Sequence, residues 1–188
     1  MVHRAEPSGR HRLLGLLWAL LPVAVFAVLF WYGRAHTPQY DRALFGQRGT
    51  DAMRLKAQLG TALLGLALVQ VVLALWMYGR IPRVPAARPP VRAAHRLTGL
   101  AAFLLSLPIA QQCLVAYGVQ LTSTRTALHS VAGCFLYGAF VAKVLVVRHR
   151  RLPGWALPVA GGALVCAVVV LWYTAAFWFL HGFSAPGL

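Results

Sequence analysis

Apolar and polar positions do not alternate along this chain; they separate into blocks. Residues 13–32, 55–78, 96–118, 127–147 and 155–180 are apolar almost throughout, and the polar residues collect between them. Each block is at least twenty residues long. At about 1.5 Å of rise per helical residue, that suffices to cross a hydrocarbon core roughly 30 Å thick. The pattern predicts an all-α, polytopic membrane helix bundle with five transmembrane helices. Residues 1–12 read as a basic, disordered cytoplasmic start, 13–180 as a single transmembrane domain, and 181–188 as a short outer tail. Pro22 is expected to kink the first span, and Thr50 and Asp51 to cap the second.

The segments between the blocks have their own character. Residues 38–46, PQYDRALFG, read as a short interfacial helix that dips Tyr40, Leu44 and Phe45 toward lipid. Residues 79–94, with four arginines and four prolines, read as an extended loop, because proline interrupts helix and charge resists insertion. LTSTRT at 121–126 makes a tight turn, so spans three and four form a hairpin. Gln58 and Gln70 lie within span two and are expected to face other helices, where an amide finds a partner.

Composition sharpens this picture. The chain is 60% hydrophobic and 11% charged, where a soluble domain carries about 25% charged residues. The net charge of +15 would suggest nucleic acid in a soluble protein. Here the arginines sit in loops, so they read as topology signals and as contacts for anionic lipid headgroups, with no nucleic-acid partner. Segments 1–12, 79–96 and 148–151 hold three, five and three Lys or Arg, against five, one and none for 33–56, 119–126 and the tail. The rule that cationic loops stay inside therefore places the N-terminus in the cytoplasm. The sixteen arginines against two lysines, with abundant alanine, suggest a high-GC bacterium and its cytoplasmic membrane. A partner membrane subunit or a homo-oligomer fits such a bundle.

The chemistry is bounded by what is missing. Glu6, Asp41 and Asp51 are the only acids, and none lies in a span. Proton-coupled transporters, cation channels and intramembrane carboxylate enzymes rely on acids at membrane depth. Cys113, Cys134 and Cys166 form no CxxC and read as packing residues. Lys143 reads as an anchor that extends toward the inner interface.

Imidazole chemistry remains. His95 precedes Gly99 and His129 precedes Gly133 by one helical turn, and glycine beside histidine leaves room for a flat macrocycle such as b-type haem. Gly99, Ala102, Ser106 and Cys113 continue a stripe of small residues from His95 and predict a close neighbour for span three. Span three runs outward and span four inward, so His95 and His129 belong to opposite interfaces and cannot share one iron. Candidate partners are Gln112 or His181 for His129, and His149 or His11 for His95.

HRLTGLAAFLLSLP (95–108) followed by LHSVAGCFLYGAF (128–140) resembles the two-helix core of the cytochrome b561 and ferric-reductase-like transmembrane superfamily. It is more closely similar to a bacterial family of small, uncharacterised integral-membrane proteins built on that core. The resemblance covers about residues 95–155. It implies haem iron held by histidines near helix ends, with His129 matching an outer ligand and His95 the histidine that opens the HRxxG segment. Close relatives carry histidine where this chain has Gln112, a poor iron ligand. The resemblance therefore implies five-coordinate haem on His129, a rewired partner such as His181, or no haem. Three functions stay open: a haem-free accessory or scaffolding bundle, a transmembrane electron-transfer protein with b-type haem, and a small transporter or sensor.

Overall fold

A computed structural model describes residues 9–148 and 153–188, without the side chains of 9–17 and 19. Five long helices carry the fold: α1 (Gly9–Ala35), α2 (Gly49–Met77), α3 (Pro89–Gln112), α4 (Thr124–Arg148) and α5 (Ala156–Trp172). Two of them change pitch near their C-terminal ends. A π-helical segment, Cys113–Tyr117, continues α3, and another, Tyr173–Phe177, continues α5 into a last turn, Trp178–Leu180. Four helical stretches, Gly49–Met77, Pro89–Tyr117, Thr124–Arg148 and Ala156–Leu180, are long and apolar enough to cross a membrane, and α1 adds the apolar stretch Leu20–Ala35.

The surface is apolar and the interior is built of small side chains, as lipid solvation requires. Trp31 and Leu97 are 71% and 66% exposed, while Ala52, Ala57, Ala67, Ala116, Ala139, Ala167 and Ala176 are buried. Lipid offers no hydrophobic drive to bring helices together, so close approach and interhelical hydrogen bonds do it. Gly138 shows the first. A Cβ there would lie 2.8 Å from the Pro22 carbonyl oxygen, so α1 and α4 come this close at position 138 only because it is a glycine. Gln70 shows the second, donating to His95 O at 2.6 Å and to Thr98 Oγ1 across the α2–α3 contact. Trp172 Nε1 likewise donates to Thr61 Oγ1 at 3.0 Å, joining α5 to α2.

The helices pack in the order α1–α4–α5–α2–α3, and the π segment of α3 returns to α1 and closes the ring. Helices α3 and α4, consecutive in sequence, are bridged by side chains. Phe103 stacks on Phe140 with centroids 4.3 Å apart, and Ser106 Oγ lies 3.0 Å from Tyr137 Oη. The predicted α3–α4 hairpin is thus splayed around an interior space.

Several boundaries move for identifiable reasons. Residues 9–12 are helical rather than disordered; residues 1–8 and 149–152, with His149, lie outside the described residues. Arg48, not Thr50 or Asp51, is the N-cap of α2, and Asp51 sits in the first turn, where a carboxylate favours the helix dipole. Helix α3 begins at Pro89 rather than near Arg96. Pro89 and Pro90 occupy its first turn, where the missing N–H groups would have no helical partner anyway. Helix α4 begins at Thr124. Ser123 Oγ accepts from Thr126 N at 3.3 Å and Thr126 Oγ1 from Ser123 N at 3.1 Å, a reciprocal cap.

The expected interfacial helix at 38–46 is absent. Leu44 and Gln47 exchange backbone hydrogen bonds at 2.9 Å around Phe45 and Gly46, whose φ angles of 47° and 82° preclude helix. Leu44 turns inward and is buried, while Tyr40 and Phe45 stay exposed. Gln58 is exposed rather than facing another helix.

Candidate functional site

The interior space is a cavity of about 300 Å³ at the end of the bundle that carries the α3–α4 turn. All five helices contribute to its wall. The polar groups are Lys56 of α2, Ser106 of α3, Gln120 of the turn, and Arg125, Thr126, His129 and Ser130 of α4; the rest is mainly apolar, with Tyr117, Tyr137, Trp172 and Trp178. No carboxylate among the described residues lines it. Both π segments reach it, through Cys113, Leu114 and Tyr117 and through Ala175 and Ala176. A π turn widens the helix and redirects side chains, and such turns gather at functional sites.

His129 is the best-defined group here. Its Nδ1 lies 3.0 Å from Thr174 Oγ1, and Thr174 is 1% exposed. The Thr174 hydroxyl has one proton, which it donates to Val170 O at 2.7 Å. It therefore accepts from Nδ1–H, which fixes the tautomer of the neutral ring and leaves the lone pair on Nε2. Nε2 has no hydrogen-bond partner among the described residues, and the ring lines the cavity. Gly133, one turn along α4, also lines it. A Cβ at Gly133 would meet only Leu171 Cδ2, at 3.8 Å, so helix packing does not demand glycine there.

The two cations are held by aromatic faces. Lys56 Nζ sits 4.0 Å from the Tyr117 ring centroid, and the Arg125 guanidinium carbon 3.7 Å from that of Trp178. Arg125 Nη1 also donates to Thr174 O at 3.0 Å.

The other candidates are elsewhere. Gln112 is 4% exposed, and its Nε2 donates to Arg42 O at 2.7 Å, tying α3 to the 36–48 loop rather than meeting His129. His181 stacks on Phe177 at 3.8 Å, with Nδ1 3.0 Å from Phe177 O, and does not line the cavity. His95 lies at the opposite end of the bundle, its Nδ1 buried without a partner among the described residues. His11 falls in the first turns of α1, its side chain outside the description. No group of three or more His, Cys, Asp or Glu residues gathers among the described residues. The small stripe does face inward: Gly99 meets Gln70, Ala102 packs on the Leu63–Ala67–Val168 cluster, and Cys113 lines the cavity.

Sequence reasoning missed Lys56, Arg125 and Thr174. The available signal was a threonine in the apolar, aromatic-rich end of α5, and two cations near helix starts at the same end of the bundle, Arg125 in the first turn of α4 and Lys56 about two turns into α2. No curated protein and no solved structure is significantly similar to the chain. Residues 14–187 match the family of unknown function DUF6529, and the chain belongs to that family.

Proposed function

We propose that this protein is an intramembrane electron-transfer component that holds one b-type haem in the cavity, with His129 Nε2 as its single imidazole ligand. The observation that carries this reading is the oriented lone pair. A histidine whose Nδ1–H is tied to a neighbour presents Nε2 in a fixed direction, as metal-bound histidines do. An apolar ligand alone would leave that nitrogen without a partner.

The residues fit the group in two further respects. Gly133 is free of any packing demand and leaves room beside His129. Ala57, Gly60, Ala110, Ala175 and Ala176 keep much of the wall low. Ligand cavities span roughly 300–1,000 Å³. This one is at the small end, so a macrocycle would take up all of it and shift the larger wall side chains. The fit is for one imidazole, since Gln112 and His181 are engaged elsewhere. Bound haem would supply a one-electron couple at membrane depth. The protein's own part is to orient the ligand nitrogen through Thr174 and to exclude water with apolar walls.

In the same reading α1 is a fifth span, the N-terminus lies in the bacterial cytoplasm, and the α3–α4 turn and the cavity lie toward the outer face. The arginine asymmetry supports that orientation, and the basic 79–88 segment then meets anionic headgroups of the inner leaflet. A visible spectrum of protein purified in detergent tests the proposal. The expected result is a Soret band and a dithionite-reducible alpha band, both lost in His129→Ala. A folded, colourless protein that takes up no added haemin would overturn it and leave a haem-free accessory bundle.

A further inference from the structure

The cavity contains two cations that oriented imidazole chemistry does not use. Lys56 and Arg125 line a mainly apolar space that no carboxylate of the described residues lines, on a chain whose three acids are Glu6, Asp41 and Asp51. A cation near a helix end usually extends its head toward water. These two fold inward onto the faces of Tyr117 and Trp178. A ring face steadies a cation without using its N–H donors. Lys56 keeps three donors, and Arg125, with Nη1 bonded to Thr174 O, keeps the rest of its five.

Cations at the half-buried rim of an apolar cavity are best satisfied by hydrogen-bonded counter-charges. The wall supplies none, so the complementary ligand brings its own. Lys56 is on α2 and Arg125 on α4, so the two cations come from separate helices of the ring. We infer that Lys56 and Arg125 each bind one carboxylate of the cavity's ligand. The site thereby selects a porphyrin dicarboxylate over its neutral diester. This rests on the haem reading and adds to it a pair of anchoring residues and a rule of selectivity. Arg125 also couples the two ends of the recognition: its Nη1 holds the carbonyl of Thr174, the residue whose hydroxyl orients His129.

The test is a Soret-monitored titration of pigment-free protein in detergent, with empty micelles as reference, using haemin and its dimethyl ester. Wild-type protein should bind haemin about tenfold or more tightly than the ester, the discrimination expected of a charge-assisted pair. Lys56→Gln and Arg125→Gln should each reduce that preference, while Lys56→Arg should retain it. Equal wild-type affinity for the two porphyrins would overturn this inference and leave the haem reading standing. A wild-type preference that persists in both Gln variants would do the same, making the cations interface anchors. Binding of neither porphyrin would overturn both. The wild-type comparison needs no variant to fold, and circular dichroism with size-exclusion profiles qualifies the variants.

Discussion

His129 and Thr174 form a directed pair: the imidazole Nδ1–H donates to a hydroxyl that in turn donates to Val170 O, over 3.0 and 2.7 Å. Removing the hydroxyl releases the ring without removing the ligand nitrogen. Thr174→Val should therefore keep haem uptake while weakening it about 10- to 100-fold, the usual effect of losing an outer partner of a metal ligand. His129→Ala should abolish it. Titration of both variants with haemin reads the difference, and equal loss in the two would remove the orienting role from Thr174.

The two α4 glycines should behave oppositely. Gly138→Ala pushes a Cβ into the Pro22 carbonyl and should cost about 1–3 kcal/mol through overpacking, seen as a lower Tm in detergent. Gly133→Ala meets only ordinary contact at 3.8 Å, so Tm should hold while haem affinity falls. If Gly133→Ala destabilised the bundle as much as Gly138→Ala, the glycine beside His129 would be a packing residue only.

Gln112→His should not create a second iron ligand. The position is 4% exposed, and its side chain points at Arg42 O. The substitution leaves a carbonyl short of its donor, a loss of about 1–3 kcal/mol, with no change of spin state. A low-spin EPR signal in this variant would place residue 112 opposite His129 after all.

Ser106→Leu should destabilise by about 1–3 kcal/mol. Ser106 is 6% exposed, and its hydroxyl donates to Phe103 O at 2.7 Å beside Tyr137 Oη. Thermal melting of the purified variant checks this; an unchanged Tm would mean that α3 can rotate its small face away from Tyr137.

Orientation is open to direct labelling. Arg48→Cys and Arg88→Cys, in a background with Cys166 replaced, should differ toward an impermeant thiol reagent applied to intact cells. Residue 48 is expected to label and residue 88 not to; the reverse pattern would invert the bundle.

The helices were legible because lipid imposes a blunt rule on sequence: a span must be apolar for about twenty residues. Their ends were less so, since Pro89 and Pro90 begin a helix as readily as they end one, and Ser123 caps across a turn that looks featureless. His129 was visible as an imidazole near glycine. Its partner was not, because Thr174 comes into register only through the packing of α5 on α4 and the π turn at 173–177. Gln112 shows the converse. Depth along span three placed it near His129, but depth says nothing about azimuth, and the 36–48 loop claimed its amide.

The ring order of the helices has a consequence for biogenesis. Helices leave the ribosome in sequence order, yet α3 and α4 meet mainly through side chains, and α5 is inserted between α4 and α2 in the finished ring. Thr174, Trp172 and Trp178 all arrive with α5 or its continuation. Until the last helix enters the bilayer, His129 has no orienting partner and Arg125 no aromatic face. Nascent chains ending before about residue 170 would therefore leave the imidazole without its orienting partner, and the proposed haem site would be complete only once synthesis is nearly finished.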